Sequence, residues 1–281
     1  MSLSIDRIFV YPVKSMVGGE VDDASLSLLG IEGDRRWATR DMVNGGIRGA
    51  KKLGPLMRFS ASYVAGTEGH VEITAPDGTV LRSDDADVDR WLTERLGHDV
   101  RLQQLAAIDD LDHYRRGAPT HSDIVAELRE VFGRDVDEPF PDFSVFPPEV
   151  AEFESPPGTH HDCWPLMIMS TSAMRSMREA LPDSSIDWAR FRPSIVVDTG
   201  DIPGHPEFGW KGRSARLGTA VIEFLSPCPR CVMITREIDH SLPADRTILR
   251  HVVRDLDQNV GVYARVVTPG VVSRGDVLEF V

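Results

Sequence analysis

Cysteine is scarce in this chain. Its 281 residues include three, Cys163, Cys228 and Cys231. Three thiols cannot build a disulfide framework, and the odd count leaves at least one free, so a reducing compartment, the cytoplasm, is expected. Lysine is scarcer still for a protein of this size: only Lys14, Lys51, Lys52 and Lys211 occur, and arginine supplies the other cations. Base composition produces such a bias, yet it singles out Lys14 for inspection. Long apolar runs are missing. None approaches the ~20 residues of a membrane-crossing helix. The opening MSLSIDRIFVYPVKSM has no basic stretch followed by an apolar one, so no signal peptide is expected. Net positive charge is lacking too: at a formal −13, the chain offers no basic face for nucleic acid.

What is present fits an ordinary globular protein, with 41% hydrophobic and 27% charged residues. The length allows one large domain or two smaller ones. Short β-rich segments dominate: residues 5–11, 21–29, 37–41, 70–74 and 100–105. The PDGT of residues 76–79 reads as a turn joining two strands. One helix is expected over SDDADVDRWLTERLG, where Val88, Trp91, Leu92 and Leu96 recur at helical spacing and Gly97 stops the run. A second is expected over residues 124–132, and a third from Thr171 with Ser170 as its N-cap. Residues 134–161 are rich in proline and acid and read as a loop. Many short strands with few short helices make the fold class mainly β, of the barrel or sandwich kind.

The stretch SPCPRCVMI, residues 226–234, sets two of the three cysteines around Pro229 and Arg230. A redox dithiol would follow a strand and open a helix, and the residues after Cys231 do not announce one. A zinc site would need two further ligands, which the HHDC of residues 160–163 could supply. A buried thiol packing as a small hydrophobe is the plainest reading. The neighbouring arginine keeps a reactive thiolate open, because a fixed cation stabilises the ionised sulfur. Lys14 and Ser15, Arg35 and Arg36, and Arg192 also sit in turns beside strands. Cations at strand ends together with a thiol suit an anionic ligand with a phosphate and a soft metal.

YPVKSM, GDRRW, FRPSIVV, WKGRSARLG, CPRC and GVYARVVTPGVVSRGD follow one another along the chain. In that order they resemble the MOSC-domain family, in the version with an N-terminal MOSC β-barrel domain that includes the mitochondrial amidoxime-reducing component and its bacterial relatives. The resemblance implies an N-terminal β-barrel module over residues 1–115, whose first strand may pack with the core barrel, and a MOSC β-barrel over residues 116–281. It implies molybdenum cofactor, with Cys231 as metal ligand and catalytic centre and Cys228 as a structural neighbour. Pyridoxal phosphate is not expected. Lys14, Ser15, Arg35 and Arg192 would hold the phosphate and pterin oxygens, with Arg230 and the Pro229 carbonyl beside them. Two departures stand out: Ser194 replaces an asparagine, and Cys163 and Trp164 in DCWP replace small hydroxyl residues. Asp162 and His161 become candidate acid–base groups by proximity.

The function implied is two-electron reduction of N-hydroxylated or N-oxide small molecules, with electrons from a separate flavin or iron–sulfur reductase. The alternative is a non-catalytic carrier of molybdenum cofactor or of sulfur. Lys14, Arg35, Arg192 and Cys231 are expected to share one pocket. The loop of residues 134–161, with Asp137, Glu138, Phe140, Asp142, Phe143 and Phe146, is expected to form an acidic, aromatic rim favouring neutral or cationic substrates.

Overall fold

The computed structural model describes residues 3–281. The chain opens with β1 (Ser4–Val10), β2 (Gly19–Val21), β3 (Asp23–Ser27) and β4 (Gly30–Ile31). In β1 the inward residues are Ile5 and Ile8, three apart rather than two. A register shift between Ile5 and Arg7 accounts for the spacing, since one inserted residue moves the next side chain to the other face.

A second group follows: β5 (Trp37–Asp41), β6 (Ile47–Arg48), β7 (Ser60–Tyr63), β8 (Val71–Thr74), β9 (Val80–Arg82), α1 (Val88–Leu96) and β10 (Val100–Gln104). The PDGT turn joins β8 to β9 as expected. Helix α1 buries Val88, Trp91, Leu92 and Leu96, and Gly97 ends it at φ +63°, a left-handed cap that glycine adopts without steric cost. These strands form two three-stranded sheets, β10-β5-β6 and β7-β8-β9. Their core joins Trp37, Leu56, Phe59, Ile73 and Trp91 to Met233 and Ile238, far along the chain.

Next come α2 (Leu111–Tyr114) and α3 (Ile124–Phe132). They are followed by β11 (Leu166–Ser170), α4 (Thr171–Ala180), α5 (Trp188–Phe191), β12 (Ile195–Asp198), β13 (Ser214–Leu217) and β14 (Ala220–Pro229). Ser170 caps α4 by accepting from the Ala173 amide at 2.9 Å. The chain then forms α6 (Arg246–Asp255), β15 (Asn259–Thr268), β16 (Gly270–Ser273) and β17 (Leu278–Phe280). No described helix exceeds ten residues, and none is long and apolar enough to cross a membrane.

The largest sheet has eight strands in the order β17-β13-β14-β15-β11-β12-β1-β2. Its first and last parts meet: Ser4 bridges Val277, and the Leu278 amide donates to the Leu3 carbonyl at 2.9 Å. The sheet thereby closes into a barrel around Ile8, Ile168, Ile195, Phe224 and Val262. Burying each such side chain contributes about 1.5–3 kcal/mol. A separate three-stranded sheet, β16-β3-β4, lies against this core. Among the strands before residue 115, β1 pairs with β12 and β3 with β16, while β2 and β4 pair with β1 and β3. Ile8 pairs with Ile195, and Ile195 with Ile168. The end of β1 and the starts of β11 and β12 therefore lie at one edge, which positions the site.

Candidate functional site

Strand parity decides the fate of the two cysteines. Along β14 every second residue is buried, through Ile222, Phe224, Ser226 and Cys228, as a period of two requires. Cys228 is 2% exposed and Cys163 5%. Burial raises the pKa of both thiols, so they stay protonated. Cys231 lies past the strand end and is only half-buried. Of the three free cysteines it is the one placed to meet a ligand.

Three charges converge beside it. Lys14 is 3% exposed, and its Nζ donates to Asp162 Oδ1 at 2.5 Å and to the His160 carbonyl at 2.7 Å. Lys51 Nζ reaches the other oxygen, Asp162 Oδ2, at 3.2 Å. Burial opposes ionisation of Asp162, but the two ammonium groups outweigh it and hold the carboxyl well below its usual range. Burial likewise opposes the charge on Lys51, and Asp162 and then Cys231 more than offset it. Two cations around one carboxylate leave a surplus positive charge near the Cys231 sulfur. Asp162 is accordingly unsuited to donate a proton at neutral pH. His161 is also held uncharged, its pKa depressed by burial and by Arg35 and Lys14.

A second cationic group adjoins the first. Arg35 and Arg192 both lie over the Tyr11 ring, with guanidinium carbons 5.2 and 4.1 Å from its centre. Arg35 Nη1 also contacts Asp34 Oδ2, and the Tyr11 amide donates to Asp34 Oδ1 at 2.8 Å. Arg192 donates to the Met16 carbonyl at 2.5 Å through Nη1, while its Nη2 is buried without a partner. Burial and Arg35 pull the Arg192 pKa down to about 10, so it stays charged at neutral pH. An unpartnered N–H on a buried cation is costly, and an incoming anion would satisfy it.

The backbone is also unusual here. Five described residues other than glycine have a positive φ: Ser15 (70°), Arg35 (51°), Arg192 (57°), Asp257 (47°) and Gln258 (70°). The first three are cations or their neighbours expected at the site, and Gln258 braces it. Left-handed backbone at a residue with a side chain costs of order 1–3 kcal/mol and persists where surrounding structure enforces it.

Arg230 joins the cysteine turn to the Arg192 turn. Its Nη1 donates to Cys228 Sγ at 3.1 Å and its Nη2 to the Phe191 carbonyl at 2.6 Å. Its amide donates to the Gln258 carbonyl at 2.8 Å. Arg134 Nη2 donates to the Arg230 carbonyl and to Gln258 Oε1, both at 3.0 Å. Arg230 is thus a brace behind the site.

The other expected residues are placed as follows. Ser15 Oγ accepts from the Ala50 amide at 2.9 Å and packs where a Cβ on Gly49 would collide with it. Ser194 Oγ accepts from the Met167 amide at 3.3 Å, which ties it into the sheet while its own proton stays available. Pro229 ends β14 opposite Asn259, with its carbonyl 3.8 Å from Cys228 Sγ. Trp164 donates its indole N–H to the Val145 carbonyl at 2.8 Å, so it pins the long loop.

That loop differs from the expected acidic rim. Phe140, Phe143 and Phe146 cluster with Phe132 of α3. Glu138 is 8% exposed and contacts Arg250, while Asp135 pairs with Arg246 at 2.9 Å and Arg250 at 2.6 Å. Asp137 and Asp142 stay exposed. The loop's last residues do reach the site, through Ser155, His160 and Asp162 around Lys14.

The zinc alternative finds no support in the geometry. Among described residues, the one group of potential metal ligands is His121, Glu127 and Glu130. There the Lys52 ammonium already lies 2.8 Å from Glu127 and 2.6 Å from Glu130. Sequence reasoning missed Lys51, Tyr11, Arg134 and Gln258. Only Lys51 left a signal, as one of four lysines in an arginine-rich chain.

Residues 2–115 match the MOSC N-terminal beta barrel domain, and residues 157–279 match the MOSC domain. Among solved structures, the YuaD protein of Bacillus subtilis is similar along 100% of this chain and 96% of its own, at 12% identity and a TM-score of 0.46. YiiM of Geobacillus stearothermophilus is similar over 42% of this chain and 54% of its own, at 16% identity and a TM-score of 0.32. YiiM of Escherichia coli covers the same shares at 19% identity and a TM-score of 0.33. No curated protein matches the chain. With both domain types matched in order, the chain belongs to the MOSC-domain family, in the form with an N-terminal β-barrel domain.

Proposed function

We propose that this protein is a molybdenum-cofactor oxidoreductase that reduces the N–O bond of small N-hydroxylated or N-oxide molecules. The buried Arg192 guanidinium carries the proposal. It lies beside Arg35 with one nitrogen unpartnered, as a site built for a phosphate requires. The donor set fits the group: Lys14, Arg35 and Arg192 would hold its phosphate and pterin oxygens, Ser15 and Ser194 would add hydroxyls, and Cys231 would ligate the metal as a soft thiolate. When bound, the cofactor supplies two-electron oxygen abstraction.

The chain's own residues bind, orient and balance charge. Lys51 and Lys14 hold Asp162 ionised, and Lys51 places an ammonium group near the Cys231 turn. Arg230 fixes the cysteine turn through Cys228. For an amidoxime, the N–O bond breaks, two electrons come from a separate reductase protein and two protons from solvent, and an amidine and water leave. The test is to load the protein with cofactor, count bound molybdenum and assay benzamidoxime reduction with an artificial electron donor. Stoichiometric metal with turnover is expected. Metal without turnover under any donor would make the protein a carrier, and no metal would overturn the proposal.

A further inference from the structure

A groove of about 610 Å³ adjoins the cysteine turn. That volume is in the range of small-molecule sites, ~300–1,000 Å³. Its lining includes Val232, the residue after Cys231, and Arg134, which is bonded to the Arg230 carbonyl. Arg236, also in the lining, donates to the Lys51 carbonyl at 3.2 Å. The groove therefore shares backbone with the site and contains none of its proposed cofactor ligands.

Its charge runs against that of the whole protein. The lining holds five arginines and two glutamates, on a chain whose formal net charge is −13. Several of these charges are cancelled. Arg58 lies 3.6 Å from Glu237, Arg246 pairs with Asp135 at 2.9 Å, and Glu130 shares the Lys52 ammonium with Glu127. Arg129, Arg134 and Arg236 are left. Arg129 donates to the Asp135 and Val136 carbonyls. Arg134 donates to carbonyls and to the Gln258 amide oxygen. Arg236 donates to a carbonyl, and its Nε is buried without a partner. Each spends its hydrogen bonds on neutral acceptors, and none of the three is in a side-chain ion pair among the described residues. Pro55, Val232 and Leu249 supply apolar surface between them. The carboxylates that could have repelled an anion here, Asp135 and Glu138, face the arginines of α6.

We propose that this groove binds the anionic end of a small organic molecule, a carboxylate or a phosphoryl group on an apolar body, and that such anions are the preferred substrates. The second half rests on the reductase reading. It reverses the selectivity expected from the acidic sequence of the loop. A guanidinium-lined groove both draws anions toward it and fixes planar oxyanions by paired N–H donors.

The experiment uses benzamidoxime and its 4-carboxylate, 4-phosphonate and 4-aminomethyl derivatives. Binding to the cofactor-free protein is measured by calorimetry, and kcat/KM on the loaded protein. The carboxylate or phosphonate is expected to bind about tenfold more tightly than the neutral parent, with the preference falling as salt is added; which of the two leads identifies the natural anionic group. Arg129→Gln with Arg236→Gln should erase the preference, and Arg129→Lys with Arg236→Lys, which keeps the charge, should retain most of it. Equal or tighter binding of the neutral or aminomethyl compound overturns the proposal, as does an unchanged preference in the glutamine pair. Anion binding without turnover of any compound would leave the groove standing and sink the reductase reading. Turnover of benzamidoxime with no preference for anions would do the reverse.

Discussion

Arg230 donates to Cys228 at 3.1 Å, so the arginine between the two cysteines is spent on the first of them. The buried thiol anchors the turn, and the turn presents the second thiol. Cys231→Ser is therefore expected to lose bound molybdenum and all turnover with less than about 1 kcal/mol change in stability. Cys228→Ser should cost about 1–3 kcal/mol, since it disturbs a buried hydrogen-bonded group, and should keep its metal. Urea unfolding and metal analysis of both variants check this. Equal metal loss in the two would contradict the assignment.

Asp162 sits between two ammonium groups, so Asp162→Asn leaves a buried Lys14 and its neighbour Lys51 facing each other uncompensated. A loss of about 1–3 kcal/mol is expected, below the figure for a fully buried pair because Asp162 is partly exposed. Adding Lys51→Met to Asp162→Asn should recover part of it. A double-mutant cycle with no coupling between the two positions would refute the arrangement.

Acid should destabilise the protein earlier than carboxylate titration alone predicts. Burial, with Lys14 and His113 nearby, holds His160 down to about 3, and His113 and His161 are lowered too. These imidazoles are neutral in the fold and take up protons near pH 6.5 once unfolded. Between pH 6.5 and the folded values the unfolded state binds more protons, so stability falls as pH falls, by at most about 1.4 kcal/mol per pH unit for each histidine. Unfolding free energies from pH 8 to 5 should show this slope, and His160→Asn should flatten it.

Trp164→Phe keeps the ring and removes the indole N–H that holds Val145. Hydrogen exchange and proteolysis should speed up across residues 140–150, with β11 unaffected. Unchanged protection in that segment would mean that the phenylalanine cluster alone fixes the loop.

Much of this architecture was legible because it is local. Gly97 and Ser170 mark helix ends, and PDGT marks a hairpin. Helix α6 carried a readable pattern as well, with Ile248, Leu249, Val252 and Val253 on one face and Asp245 as cap, yet it lies in a polar stretch that the motifs on either side overshadow. The cations of the site were readable through family motifs. Within the acidic loop, the burial of Glu138 was hidden because its partner Arg250 lies more than a hundred residues away. Lys51 was hidden for the same reason: nothing in KK at residues 51–52 says which of the two turns toward Asp162 and which toward α3.

The bridge from Ser4 to Val277 has a consequence for how the protein is made. The strand that seals the barrel is synthesised first, and the strand it meets is synthesised near the end. At ~5–20 residues per second, the two are separated by tens of seconds. During that interval β1 has β2 beside it and gains β12 only when residues 195–198 are made, and the core around β5 to β10 still lacks Met233 and Ile238. Ile5 and Ile8 must therefore wait exposed, where chaperones or neighbouring chains can reach them. The edge at which the cations gather, by contrast, needs only the end of β1 with β11 and β12, so it can form before the seam at Ser4 closes.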